Sequence, residues 1–220
     1  MAEVSASILN LVGNPEATHE FYDLEVAKTD YFHIDVMDGK FVEKDTAKEM
    51  KEFSLTLSHI TNIGLDVHFM VENIEEFIDD YVDLEPEYIA FHEEVSKTPE
   101  RTMELIKTIK ENGIKAGIAI NPATPVENIK QYLPHLHLVI IMTVVAGKGG
   151  QKFMPETLDK IRDLRKYIDE NGLDVNIEVD GGINYETAAL VKEAGADMMV
   201  CGSFLINSEN RGETIKKLKE

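Results

Sequence analysis

Short apolar runs rich in β-branched residues alternate with helix-patterned segments along the whole chain, and this alternation restricts the fold more than any other feature. The runs cover residues 4–9, 31–37, 65–71, 88–92, 115–121, 136–144, 175–179 and 197–201. Between them, apolar residues recur at helical spacing: Leu158, Ile161, Leu164 and Ile168 share one face, as do Met103, Ile106 and Ile109. Thr98-Pro99 and Thr124-Pro125 each read as an N-cap followed by proline at the first helical position. Asn112-Gly113, Asn171-Gly172 and Ala194-Gly195 read as helix ends, each just ahead of a strand.

Several runs, such as 138–142, are apolar throughout, as parallel strands buried on both faces require. Eight strand–helix units in 220 residues leave about 27 residues each, near the size of a compact βαβ repeat. The expected architecture is therefore an α/β fold, a (β/α)8 TIM barrel, formed by residues 1–220 as a single domain. An open doubly wound sheet is the alternative. The first strand–helix turn lacks G-x-G-x-x-G, which removes the dinucleotide-binding version of that sheet.

Charge narrows the function classes. With 22 Lys and Arg against 41 Asp and Glu, the formal net charge is −19, a poor match to nucleic acid or to an anionic membrane surface. At 43% hydrophobic and 29% charged residues, the chain can bury a core. No run approaches the ~18 apolar residues of a membrane span, and Met1-Ala2-Glu3-Val4-Ser5 lacks the basic and apolar regions of a signal peptide. A cytoplasmic location is expected. Cys201 is the only cysteine, so an intramolecular disulfide and a cysteine-rich zinc site are excluded.

In a parallel barrel the chemistry sits at the C-terminal strand ends, so polar residues that interrupt apolar runs there are informative. His33 and Asp35 are two apart and share one face of the second strand, with Ile34 and Val36 on the other. Asp66 and His68 share a face of the third, and Asp180 closes the seventh. Each alone could be a hydrogen-bonded core residue. Together, His33, Asp35, His68 and Asp180 would bury several unpaired charges, a cost that one shared cation relieves. Two imidazoles and two carboxylates suit one divalent ion: zinc first, with iron, manganese or cobalt as alternatives. Asp35 and Asp180, from strands far apart around the ring, would reach a bound molecule from opposite sides. That arrangement suits removal of a proton from one face of a carbon and its return to the other. His92 is read as a supporting residue, and Met37, Met70 and Met142 as an apolar collar near the strand ends.

Glycines gather after the last three strands, at Gly147-Lys148-Gly149-Gly150, Asp180-Gly181-Gly182 and Gly202-Ser203. Backbone N–H groups exposed by glycine bind phosphate, and these loops hold the usual phosphate position of the fold. Asn184 reads as the N-cap of a helix whose positive end points there.

Ser5-Ala6-Ser7-Ile8-Leu9, His33-Ile34-Asp35-Val36-Met37-Asp38-Gly39, Asp66-Val67-His68-Phe69-Met70, Asn121-Pro122-Ala123-Thr124-Pro125, Met142-Thr143-Val144, Gly149-Gly150-Gln151 and Val179-Asp180-Gly181-Gly182 together resemble the ribulose-phosphate 3-epimerase family, in the family's order and over almost the whole chain. The resemblance implies a barrel of the ribulose-phosphate-binding type, a metal-dependent isomerase of carbohydrate metabolism that inverts C3 of a ketose phosphate. D-Ribulose 5-phosphate, converted to D-xylulose 5-phosphate in the pentose phosphate pathway, is the first expected substrate. By this likeness His33, Asp35, His68 and Asp180 hold the metal, and Asp35 and Asp180 form the acid/base pair acting through an enediolate. Ser7, His68, Gly147, Gly149, Gly150, Gly181, Gly182, Gly202 and Ser203 contact substrate or phosphate. A homo-oligomer is implied as well.

Two loops depart from the family pattern. Val145-Ala146-Gly147-Lys148-Gly149-Gly150 stands where Asn-Pro-Gly-Phe-Gly-Gly is usual, and Phe41-Val42-Glu43-Lys44 where Phe-Val-Pro-Asn is usual. Both border the expected pocket. They leave open a hexulose phosphate substrate such as D-allulose 6-phosphate, or a non-catalytic sugar-phosphate-binding barrel. A phosphosugar decarboxylase on the same fold would place a lysine among the acidic residues of the second strand, where this chain has Ile34 and Val36.

Overall fold

The computed structural model describes residues 2–220. Eight parallel strands close into a barrel in sequence order: β1 (Glu3–Ser7), β2 (Tyr31–Met37), β3 (Gly64–Met70), β4 (Tyr88–His92), β5 (Lys115–Ile120), β6 (Leu138–Met142), β7 (Asn176–Asp180) and β8 (Met198–Cys201). The expected (β/α)8 architecture is present, and β1 pairs with both β2 and β8. The connecting helices are α1 (Ala17–Val26), α2 (Ala47–Ile60), α3 (Ile74–Tyr81), α4 (Glu93–Ser96), α5 (Pro99–Glu111), α6 (Thr157–Glu170) and α7 (Tyr185–Ala194), with α8 (Ser203–Ile206) and α9 (Arg211–Lys219) after the last strand. Among the described residues, no helix is long and apolar enough to cross a membrane.

The helix faces bury as their spacing predicts. Leu158, Ile161, Leu164 and Ile168 are buried on α6. On α5, Ile106 and Ile109 are buried, whereas Met103 is only partly covered. Thr98 caps α5 by accepting from the Arg101 N–H, with Pro99 in the first turn. Asn184 caps α7 in a reciprocal box with Thr187.

The fifth unit departs from expectation. Thr124-Pro125 opens no α-helix. Only two 3-10 turns, Val126–Asn128 and Leu133–His135, join β5 to β6. Pro134 lies inside the second turn, where an α-helix would lose a hydrogen bond and clash with the ring. The Thr124 hydroxyl donates to Glu94 instead of capping. The Lys160 ammonium of α6 then ties the carbonyls of Asn121, Pro122 and Thr124 at 2.6–2.9 Å.

Strand alternation divides the barrel wall. Ile34, Val36, Val67 and Phe69 face outward into the core beneath the helices. The interior has two halves of opposite character. Tyr88, Ala90, Ala119, Leu138, Ile140, Met142 and Met198 form an apolar half. The other half is polar and fully or nearly buried, with Ser5 and Ser7 from β1, His33 and Asp35 from β2, Asp66 and His68 from β3, and Glu178 from β7. Register sets these polar residues in layers, because His33 pairs with Asp66 and Asp35 with His68 across β2 and β3.

Candidate active site

The upper polar layer brings together the four residues expected to act as one set. His33 Nε2 lies 3.4 Å from Asp35 Oδ1 and 4.0 Å from Asp180 Oδ2. His68 Nδ1 lies 3.8 Å from Asp35 Oδ1 and 3.7 Å from Asp180 Oδ2. Both imidazoles are wholly buried, and among the described residues neither of these two nitrogens has a hydrogen-bond partner. Two orphaned ring nitrogens facing the same two carboxylate oxygens are what a cation site requires. Four donors about 2.0–2.2 Å from a shared centre stand about 3.3–3.6 Å apart in a tetrahedron, close to the spacing found. The residues therefore fit a divalent ion; the donor set does not choose among zinc, iron, manganese and cobalt.

A deeper layer orients this set. Asp66 Oδ2 lies 2.6 Å from His33 Nδ1 and accepts from the Ser5 hydroxyl at 2.8 Å, which turns His33 Nε2 toward the site. Burial opposes a charge on His33, but the Asp66 and Asp35 carboxylates outweigh it and hold the imidazole well above its usual range. Beside Asp66 lies Glu178, both of whose carboxyl oxygens are buried without a partner. Burial and the neighbouring Asp66 charge push Glu178 well above the usual carboxylate range. Sequence reasoning missed this layer, although Glu178 and Asp180 are two apart and share a face of β7.

The two expected acid/base residues have different surroundings. Asp35 Oδ2 accepts from the Ser7 hydroxyl at 2.8 Å. Asp180 is pushed up to about 7 by burial and by the Asp35 charge. His68 is held neutral, well below its usual range, by burial and then by His92 and His33. His92 stands where a supporting residue should, its Nε2 3.0 Å from His68 Nε2.

Above this set opens a cavity of about 550 Å³. Asp35, Asp180, Ser7, Gly147, Gly149, Gly150, Gly181, Gly182, Gly202 and Ser203 all line it, as do Met37, Met70 and Met142. His33 and His68 lie beneath this lining and reach it only through the carboxylates. The glycines are needed where the chain turns. At Gly182, φ is +68° and a Cβ would sit 2.5 Å from the Phe153 nitrogen. Thr143 pins the same turn by donating to the Gly181 carbonyl at 2.6 Å. Asn10, just past β1, also lines the cavity between Gly149 and Gly202, and was missed. A polar side chain beyond a strand end is the signal that could have found it. The two unusual loops meet at the rim, where Lys148 Nζ lies 3.6 Å from Glu43 Oε2, both side chains largely exposed.

Comparison with known proteins agrees with this geometry. The family model described as "Ribulose-phosphate 3 epimerase family" matches residues 3–206. The ribulose-phosphate 3-epimerases of Methanocaldococcus jannaschii and Bacillus subtilis are each 39% identical to the chain over its full length, covering 91% and 99% of those proteins. Among solved structures, KGPDC from Streptococcus mutans superposes with a TM-score of 0.69 at 10% identity, covering all of this chain and 96% of that one. Thiamine phosphate pyrophosphorylase from Pyrococcus furiosus gives 0.65 at 15% identity, with 99% and 93% covered. At such identities the structural likeness establishes the barrel alone.

Proposed function

Because the chain belongs to the ribulose-phosphate 3-epimerase family, we propose that it inverts C3 of a ketose phosphate, ribulose 5-phosphate in the first place, with Asp35 and Asp180 as the proton carriers. The observation that carries this reading is the convergence of two carboxylates from β2 and β7 on one cavity floor, over two histidines with unpartnered nitrogens. Around the closed sheet β2 and β7 are separated by β1 and β8, so the two carboxylates flank a bound carbon rather than crowd one side of it.

His33, Asp35, His68 and Asp180 would hold one divalent ion, zinc by preference, which when bound supplies Lewis-acid stabilisation to the substrate oxygens on C2 and C3. Asp35, oriented by Ser7, takes the C3 proton from one face. Asp180, which retains a proton near neutral pH, delivers one to the opposite face. The roles exchange in the reverse direction. Met37, Met70 and Met142, each nearly fully buried, wall the floor and limit water access to the planar enediolate. The turns at Gly181–Gly182 and Gly202–Ser203, near the start of α7 and at the start of α8, offer backbone N–H groups to the phosphate.

The single-domain organisation, the cytoplasmic location and a homo-oligomeric assembly expected from the family are part of the same reading. Incubating the protein with pentulose and hexulose phosphates in D₂O, with and without chelator, tests it. Chelator-sensitive entry of one deuteron at C3 is expected for ribulose 5-phosphate. Exchange confined to a hexulose phosphate moves the specificity to that sugar, and exchange with neither rejects the reaction.

A further inference from the structure

On its far side His68 connects outward through a second histidine to a carboxylate. His68 Nε2 and His92 Nε2 are 3.0 Å apart, and His92 Nδ1 is 3.0 Å from Glu94 Oε2. Both imidazoles are fully buried. Glu94 Oε1 accepts from the Asn121 N–H at 2.8 Å and from the Thr124 hydroxyl. As an ionised carboxylate, Glu94 can only accept hydrogen bonds and has no hydrogen of its own to offer. His92 must therefore carry its hydrogen on Nδ1 to satisfy Glu94, which leaves Nε2 bare. A bare Nε2 can only accept, so His68 must carry its hydrogen on Nε2. His68 Nδ1 is then a lone pair with no partner, facing Asp35 and Asp180.

We infer that Glu94 and His92 are positioning residues that act through His68: the carboxylate–imidazole–imidazole relay holds His68 in the one neutral tautomer whose Nδ1 can serve as a ligand. The Asn121 amide nitrogen lies 3.4 Å from His92 Nδ1, a longer approach than the 3.0 Å contact with Glu94, and as a donor it cannot share an Nδ1 hydrogen, so Glu94 is the partner for it. The 3-10 connection after β5 belongs to the device. Lys160 clamps the carbonyls of Asn121, Pro122 and Thr124, which keeps the two donors of that segment on Glu94. His33 is oriented differently, by direct contact with Asp66. The two ring nitrogens facing the site are thus set by two separate carboxylates on opposite flanks.

The inference rests on the metal reading for its purpose but can be tested without it. In the full chain labelled with ¹⁵N-histidine and stripped of metal, long-range ¹H–¹⁵N correlation reads each ring's tautomer. Wild-type protein is expected to show His92 protonated at Nδ1 and His68 protonated at Nε2, each in a single form. Glu94→Ala should release both rings into tautomer mixtures. Zn²⁺ alone, titrated against a competing chelator, should bind about 10–100-fold more weakly to Glu94→Ala and to His92→Leu. His92→Gln, which keeps an accepting oxygen, should bind close to wild type. A hydrogen on His68 Nδ1 in the wild type, unchanged tautomers in Glu94→Ala, or equal losses in His92→Leu and His92→Gln would overturn the relay. Failure of wild-type protein to bind Zn²⁺ while showing the expected tautomers would overturn only the metal reading.

Discussion

The Ser7 hydroxyl, at the end of β1, donates to Asp35 Oδ2 at 2.8 Å, while the other oxygen of Asp35 turns toward His33 and His68. The serine occupies one lone-pair direction of the carboxylate and so fixes the plane in which the remaining oxygen points. Among the described residues Asp180 has no such partner. Burial and the Asp35 charge push it up to about 7.

Removal of either carboxylate should stop the exchange of C3. Asp35→Asn and Asp180→Asn keep the side-chain volume and lose the proton carrier, so each is expected to reduce deuterium entry by about 10²–10⁴-fold or more, with the circular-dichroism melting curve retaining its shape. Exchange at the wild-type rate in either variant would refute the two-carboxylate scheme.

Chelator-stripped protein should lose stability as pH rises. Asp180, held at about 7 against an ordinary value of 3.8, binds its proton more tightly when folded. Its contribution is complete below about pH 4 and is lost as pH climbs through about 7, a change on the order of a few kcal/mol. Glu178, raised for similar reasons, adds to the same trend. Melting temperature measured from about pH 6.5 to 8, above the range in which the depressed His68 adds stability with rising pH, should fall in stripped protein, and added Zn²⁺ should flatten the slope.

The two glycine turns around the phosphate position should respond differently to alanine. At Gly182 a methyl would meet the Phe153 backbone at 2.5 Å with φ at +68°, so Gly182→Ala should destabilise the fold by about 1–3 kcal/mol. At Gly202 the nearest atom to a new methyl is the Ser7 Cβ at 3.5 Å, an ordinary contact. Gly202→Ala should fold normally while its methyl narrows the cavity, raising KM about tenfold with little change in thermal midpoint. Unfolding data and steady-state kinetics on the pair separate these outcomes.

At the rim, Lys148→Ala should leave stability within about 1 kcal/mol of wild type, since the Glu43 pair is largely exposed and screened. Lys148 also lines the cavity. If it assists the phosphate, KM for the ketose phosphate should rise several-fold in this variant and lose much of its dependence on salt. Unchanged KM at low and high salt would remove Lys148 from substrate binding.

Strand periodicity and strand ends are local properties, and what depended on them could be read directly from the sequence. The eight strands, the pairing of His33 with Asp35 on one face, the capped starts of α5 and α7 and the glycine turns all follow from neighbours within a few residues. Thr124-Pro125 failed as a helix signal because the partner of Thr124 is Glu94, 30 residues away in the chain, and because Pro134 interrupts the segment beyond. The layers behind the site are of the same kind. Ser5 with Asp66, His68 with His92 and Glu178 beside them meet only when the sheet closes and one register is chosen. Which nitrogen of His68 is left bare depends on those distant partners, because a neutral ring has one hydrogen to place and only the folded barrel decides which neighbour receives it.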